Sequence, residues 1–505
     1  MNSLRSLFNL FIALLFAITV LPAKISAQEQ TNHRLFVNSI KDLSGQFQNE
    51  KLFREYIDSM KTYGITTLRV WGHWGMKCVA CAPSLIDIKT EPSPGKFDFS
   101  LYFKRLDYAI DSAGMDLILC MNFAGKFDYD SLNSGPQAVL PPFIGPDDIM
   151  FYRNNQGKDL MFSTTNNRQI KIPRFEKPAV RTLMLDYVSD VVREFRSRYG
   201  NKILFYSFTF TQSDENEYPL LGTPQFCDVS SDALDGFRQW LKLQYGKPER
   251  VSDAWGRSSR FNDYSEIQIL DGQPPPPRGK APQAYLDFMA YREWALAGFM
   301  GEIRDRVHEG GGRVMAQYGS AWDAASATRG TYGFGRQVKG FDLIVIDDDP
   351  TYDHNFSMDY IRANAGGIAF GSELEPPCWL GCEKTIDICC DATKFPLEVN
   401  IPLGMKQMDS QVLSTYRWGG SWVDLANWDA YFKKAFPLYR ASLRNALVLS
   451  ADSISRVIPS ATMELSLKEL YIHHHDKDYL SDILRRYNDM GGGKQPISIV
   501  IKYDL

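Results

Sequence analysis

Apolar side chains recur along this chain in two alternating rhythms, one helical and one extended. Leu52, Phe53, Tyr56, Ile57 and Met60 fall on one face at helical spacing, Gly64 offers a C-terminal cap, and the β-branched and aromatic run from Thr66 to Trp71 follows. The unit repeats. A helix is predicted from Leu101 to Ala113, stopped by Gly114 before a strand from Met115 to Asn122. Another runs from Val180 to Tyr199, stopped by Gly200 before a strand from Ile203 to Thr211. Further strands are predicted at Arg313 to Gly319, Phe341 to Ile346, Gly367 to Ser372 and Trp422 to Ala426. With a first strand near Leu35 to Ile40 they number eight. Strands alternating with amphipathic helices predict a parallel sheet with crossover connections, and eight such steps predict an α/β fold of the (β/α)8 TIM-barrel type.

The long segments after strands, residues 75 to 98, 122 to 178 and 374 to 410, would then lie on the C-terminal face, where barrel active sites form. The tract Gln273 to Gly279, with four consecutive prolines, reads as an extended surface connection. We expect the barrel to occupy residues 28–449. Residues 450–505 form a small βα appendage, with strands at Ile454 to Ile458 and Ile497 to Tyr503 and a helix from Asp478 to Met490. His473, His474 and His475 fall in this appendage; consecutive histidines on a regular element cannot all face one ion, so a solvated loop is the better reading.

Composition narrows the setting. Arg5 precedes an apolar run from Leu7 to Leu21 and the small-residue stretch Ile25-Ser26-Ala27, the pattern of a signal peptide over residues 1–27. This predicts an exported, periplasmic or extracellular protein with no stable membrane insertion, because no other run approaches the roughly 20 apolar residues of a spanning helix. The formal charge is −4, and cleavage would remove Arg5 and Lys24 and no acid, giving −6. A mildly acidic chain lacks the basic stripe that nucleic acid requires. Eight cysteines in an exported chain point to disulfides rather than zinc, since no cysteine pair precedes a histidine pair at finger spacing.

The chemistry-bearing residues must sit at strand C-termini. Glu217, in Ser213-Asp214-Glu215-Asn216-Glu217-Tyr218, follows the fourth strand with Asn216 beside it. Composition alone reads this as an acidic loop. Asp347-Asp348-Asp349 after strand six reads as a solvated rim rather than a cation site.

The run Leu68-Arg69-Val70-Trp71-Gly72-His73-Trp74, then Glu91-Pro92-Ser93-Pro94-Gly95-Lys96-Phe97-Asp98-Phe99, then Leu106-Asp107, resembles the opening of family 42 β-galactosidases of glycoside hydrolase clan A. Asn216-Glu217-Tyr218 is similar to that family's acid/base motif. Phe237-Arg238-Gln239-Trp240-Leu241, Tyr245-Gly246 and Ala254-Trp255-Gly256 resemble its F-x-x-W-L, Y-G and W-G segment. The resemblance covers residues 35 to 260 and resumes near strand seven.

It implies a retaining β-glycoside hydrolase acting on carbohydrate, chiefly β-galactosides or galactans, by double displacement without a cofactor or metal. Glu217 would be the acid/base and Glu373, in Gly371-Ser372-Glu373-Leu374-Glu375-Pro376, the nucleophile, with Glu375 as its rival. Arg69 would hold the nucleophile ionised and Asn216 the sugar 2-hydroxyl. Trp428 would form the sugar floor, and Trp71, Trp74, Trp379 and Tyr352 are wall candidates. Two departures limit the transfer. Cys227 stands alone where the family carries a zinc-binding cysteine cluster, and the tail is too short for the family's flavodoxin-like trimerisation domain, so no oligomer is implied. The alternatives are another clan A specificity, on β-glucan, mannan or sulfated galactan, or a non-catalytic polysaccharide-binding barrel.

Overall fold

The computed structural model describes residues 35–62, 66–78, 91–125, 136–153, 159–161, 171–211, 214–219, 227–268, 281–319, 326–348, 354–374, 407–409, 458–473, 476–492 and 494–505. Its centre is one eight-stranded parallel sheet: β1 (Leu35–Lys41), β2 (Thr67–His73), β3 (Asp116–Asn122), β4 (Ile203–Thr209), β5 (Met315–Tyr318), β6 (Leu343–Asp348), β7 (Ala369–Leu374) and β8 (Gln407–Asp409). The order is β4-β3-β2-β1-β8-β7-β6-β5. A parallel bridge between Tyr206 and Val314, with the Tyr206 N–H donating to the Arg313 carbonyl at 2.8 Å, joins the two ends β4 and β5. The fold is a (β/α)8 barrel.

Alternation along the strands builds two cores. Leu68 and Val70 of β2 pack outward with Leu117, Leu119, Tyr206, Phe208, Ile344 and Ile346 against the helices. Trp71 points inward with Ile118, Cys120, Phe205, Met315, Leu343 and Val345, filling the barrel. The outer layer includes α1 (Glu50–Thr62), α2 (Ser100–Asp107, continued by a π-turn to Ser112), α3 (Pro178–Tyr199), α4 (Ser231–Tyr245), α5 (Gln283–Glu309) and α6 (His354–Asn364). Phe53, Tyr56, Ile57 and Met60 are the buried face of α1, as their spacing predicts. Gly114 takes φ +73° where α2 must turn into β3, a conformation that a side chain would strain.

The family-like motifs prove to be structural staples. The Glu91 carboxylate accepts from the Trp74 indole at 2.6 Å and from the Gly95 N–H at 2.8 Å, closing the Glu-Pro turn onto the end of β2. Phe237 of α4 stacks near Trp240 and Trp255. Trp255 and Tyr245 both donate to Asp287 of α5, at 2.7 and 2.8 Å.

Two boundaries differ from expectation. The eighth position in the barrel is filled by Gln407–Asp409, within a segment read as loop, because three residues of mixed polarity give no periodic signal. The expected strand Trp422 to Ala426 lies outside the described residues. In the tail, Ala461–Ser466 rather than Ile454 to Ile458 pairs in parallel with Ile497–Lys502, with α7 (Lys477–Asp489) between them. This unit is docked on the barrel: Asp359 of α6 accepts from the Tyr487 hydroxyl at 2.7 Å and the Ile497 N–H at 3.0 Å. Asn364 donates to the Ile499 carbonyl at 2.7 Å. His473 caps a short helix and stacks on Tyr479 at 4.4 Å; His474 and His475 lie outside the described residues.

Candidate active site

The strand ends converge on a buried polar layer at the barrel mouth. At the end of β1, Lys41 pairs with Asp214 at 2.8 Å, and Asp42 accepts from the His73 backbone N–H at 2.8 Å. Asp42 also meets the His73 ring Nδ1 at 2.7 Å and the Tyr102 hydroxyl at 2.5 Å. That arrangement fixes the imidazole orientation, because a carboxylate bound to Nδ1 leaves Nε2 as the outward atom of the ring. Asn122, ending β3, donates both to Asp214 and to the Thr211 carbonyl. Asp214 sits at φ +75°, so the chain turns sharply there and returns, and the Phe210 and Thr211 N–H groups both donate to the Glu215 carbonyl. The Glu215 carboxylate accepts from the Thr211 hydroxyl at 2.6 Å.

The returning strand end stitches β4 to β5. The Asn216 N–H donates to the Gln317 carbonyl at 2.6 Å, its amide oxygen accepts from the Gln317 N–H at 2.8 Å, and its amide nitrogen donates to the Phe208 carbonyl at 2.6 Å. Asn216 thus holds backbone at both ends, which commits one of its two amide hydrogens. Glu217 follows. It is 2% exposed, and its Oε1 lies 3.3 Å from Nε of Arg329, while the Tyr218 N–H donates to the Arg329 carbonyl at 2.9 Å. One residue therefore grips Glu217 by its carboxylate and by the following peptide.

Arg69 is fully buried inside the barrel. Its Nη2 donates to Gln317 Oε1 at 2.7 Å, and its Nε approaches the Cys120 sulfur at 3.4 Å. Its guanidinium stacks 4.2 Å over the Trp71 ring. A delocalised, weakly hydrated cation is the charge best suited to such a site. Glu373 occupies the penultimate position of β7, in register with Asp347 of β6 and Asp409 of β8.

Behind the mouth lies a second buried acidic group. Glu176 accepts from the Tyr218 hydroxyl at 3.2 Å and from the Tyr291 hydroxyl, and burial raises its carboxyl to about 7. Burial likewise raises Asp228, beside Arg174 at 3.3 Å, to about 6.

The structure brings together Arg69, Asn216 and Glu217, and it places Glu373 at a strand end of the same barrel. Two wall candidates are buried. Trp71, 1% exposed, packs inside the barrel with the Arg69 guanidinium 4.2 Å over its ring. Trp74 is tied to Glu91 and packs against Phe123, Phe143 and Tyr187, on the helix side of the sheet. Tyr352, Glu375, Trp379 and Trp428 lie outside the described residues. Cys120 and Cys227 are buried; Cys81, Cys378, Cys382, Cys389 and Cys390 lie outside the described residues. Among the described residues there is no metal-binding cluster and no helix long and apolar enough to cross a membrane. Sequence reasoning missed Lys41, Asp42, His73 and Asn122, all polar residues at strand ends, a signal that the barrel prediction itself supplied. Arg329 carried no signal, since it stands in a connection after β5.

A (β/α)8 barrel with buried carboxylates and an arginine at its C-terminal mouth defines an enzyme class, and the comparisons agree with it. The family model for β-galactosidase of glycoside hydrolase family 42 matches residues 50–317. The chain belongs to that family and is a glycosidase, an enzyme acting on carbohydrate. The structure is similar to β-galactosidase from the psychrophilic Marinomonas ef1, at TM-score 0.61 and 15% identity over 92% of this chain and 70% of that one. It is also similar to β-galactosidase from Bacillus circulans sp. alkalophilus, at 0.62 and 12% over 93% and 65%. An exo-carrageenase of the same family from Bacteroides ovatus matches at 0.52 and 9% over 93% and 56%.

Proposed function

We propose that this glycosidase is retaining and cleaves β-galactosides or galactan chains, with Glu373 as nucleophile and Glu217 as acid/base. The observation that carries the reading is Glu217, buried immediately beyond β4 with its carboxylate and following peptide both held by Arg329. Retention requires a second carboxyl about 5 Å from the first, and Glu373 of strand seven is the residue proposed to supply it. An oxygen of Glu373 bonds to the anomeric carbon as the glycosidic bond breaks, and Glu217 gives its proton to the departing oxygen. Water then attacks the anomeric carbon, its proton passes to Glu217, and the bond to Glu373 breaks. The Arg69 charge at the barrel centre favours ionised carboxylates at the strand ends. The uncommitted amide hydrogen of Asn216 is available to a sugar 2-hydroxyl, and Trp428 and Tyr352 complete the proposed sugar contacts. Glu375 is the competing nucleophile. Export after loss of residues 1–27 belongs to the same proposal.

The test is hydrolysis of an aryl β-galactoside by wild type, Glu217→Gln and Glu373→Gln. Both variants should lose at least 10²-fold in kcat, the scale of positioned acid catalysis; wild-type rates in both would end the reading. Sulfated galactan is the second substrate reading. It is favoured by Lys41 and His73 standing at neighbouring strand ends and by the fold shared with the exo-carrageenase. A panel pairing neutral with sulfated galactan oligosaccharides separates the two.

A further inference from the structure

The segment carrying Glu217 has no regular secondary structure, so its position depends on what it leans against. Through Arg329 it leans on the four-residue helix Ser326–Arg329, itself too short to hold its own place. Both meet Arg292 of α5, which is 1% exposed. Nη2 of Arg292 donates to the Thr328 carbonyl at 2.7 Å, Nη1 to the Ala327 carbonyl at 3.4 Å, and Nε to the Cys227 carbonyl at 3.0 Å. Its guanidinium also lies 4.0 Å over the ring of Tyr218, the residue after Glu217. The neighbouring Glu293 accepts from the Gly333 N–H at 3.1 Å, so α5 holds the 326–333 connection at two points.

The geometry points to Arg292 as a positioning residue that fixes Glu217 from behind, by clamping the Ser326–Arg329 helix, the Cys227 carbonyl and the Tyr218 ring in one planar group. It touches no substrate. Only a guanidinium has donors spread in a rigid fork with a face left to stack, so an ammonium cannot span the same three carbonyls and ring. The clamp stands beside Cys227, whose carbonyl it holds. The catalytic consequence rests on the proposed role of Glu217, whereas the clamp itself does not.

The test uses the full chain with Arg292→Met and Arg292→Lys, checked for folding by circular dichroism and thermal melting. Amide hydrogen exchange is read over residues 214–219 and 326–333, and kcat, KM and the pH profile are read on an aryl β-galactoside. Exchange should rise at least about tenfold in both segments of either variant. In Arg292→Met, kcat should fall about 10- to 100-fold with KM changed far less, the scale of a small misplacement of a reacting group, and the alkaline limb should move. Added guanidinium ion should restore part of kcat in Arg292→Met and none in Arg292→Lys. Unchanged exchange in both segments of the folded variants overturns the clamp, and raised exchange with unchanged kcat and pH profile overturns its bearing on catalysis. Glu217→Gln run in parallel shows separately whether Glu217 itself acts, so failure of that role is not mistaken for failure of the clamp.

Discussion

The Arg329 guanidinium and the Glu217 carboxylate form a buried ion pair, Nε to Oε1 at 3.3 Å, in which the arginine also accepts a hydrogen bond from the next peptide. An acid/base beside a cation holds its proton less tightly. Arg329→Met should therefore move the alkaline limb of kcat/KM upward. The profile measured on an aryl β-galactoside decides this; an unmoved limb would show that Arg329 does not set the acid.

Arg69 occupies the barrel interior with its fork on Gln317 and Cys120 and its face on Trp71. Lysine keeps the charge and loses the fork and the stacking. Arg69→Lys should lower kcat/KM by about 10²-fold, the typical cost of removing one preorganised electrostatic partner. A loss under threefold in a folded variant would place Arg69 outside the reaction.

Two buried carboxyls make stability fall as pH rises. Burial lifts both Glu176 and Glu293 from 4.5 to about 7. The folded chain then binds these protons more tightly than the unfolded chain, so each group's contribution is full below about 4.5 and is lost as pH climbs toward 7. The slope is about 1.4 kcal/mol per pH unit per group in that window. Urea midpoints should decline between pH 5 and 7 and the decline should be shallower in Glu293→Gln; parallel curves for the two proteins would refute the assignment.

Asp359 joins the tail to the barrel by accepting from Tyr487 and Ile497. Alanine there strands a buried hydroxyl and a buried N–H. Asp359→Ala should cost about 2–3 kcal/mol and expose the tail to limited proteolysis. Equal urea midpoints and an intact tail would argue that the docking contributes nothing.

Much of the barrel was legible in the sequence because α1, α2 and α3 each bury a periodic face, α2 and α3 are followed by Gly114 and Gly200, and β3 and β4 are mostly apolar runs. The strand Gln407–Asp409 was not, since three residues carry no period and its pairing with β1 and β7 is a tertiary effect. Arg69 and Glu217 were legible through motif resemblance. The same motifs misled over Trp74, whose indole serves the Glu91 turn, because resemblance marks a residue without saying whether it packs or binds. Arg292 and Arg329 could not have been found: their roles arise where α5, the connection after β5 and the Glu217 segment meet in space.

The central claim is double displacement through Glu373, and a trapped intermediate tests it most directly. Incubation with an activated 2-deoxy-2-fluoro-β-galactoside, followed by proteolysis and mass spectrometry, should find one fluorogalactosyl group on Glu373, absent in Glu373→Gln. A label on Glu375, or none on an enzyme that hydrolyses the parent β-galactoside, would contradict it.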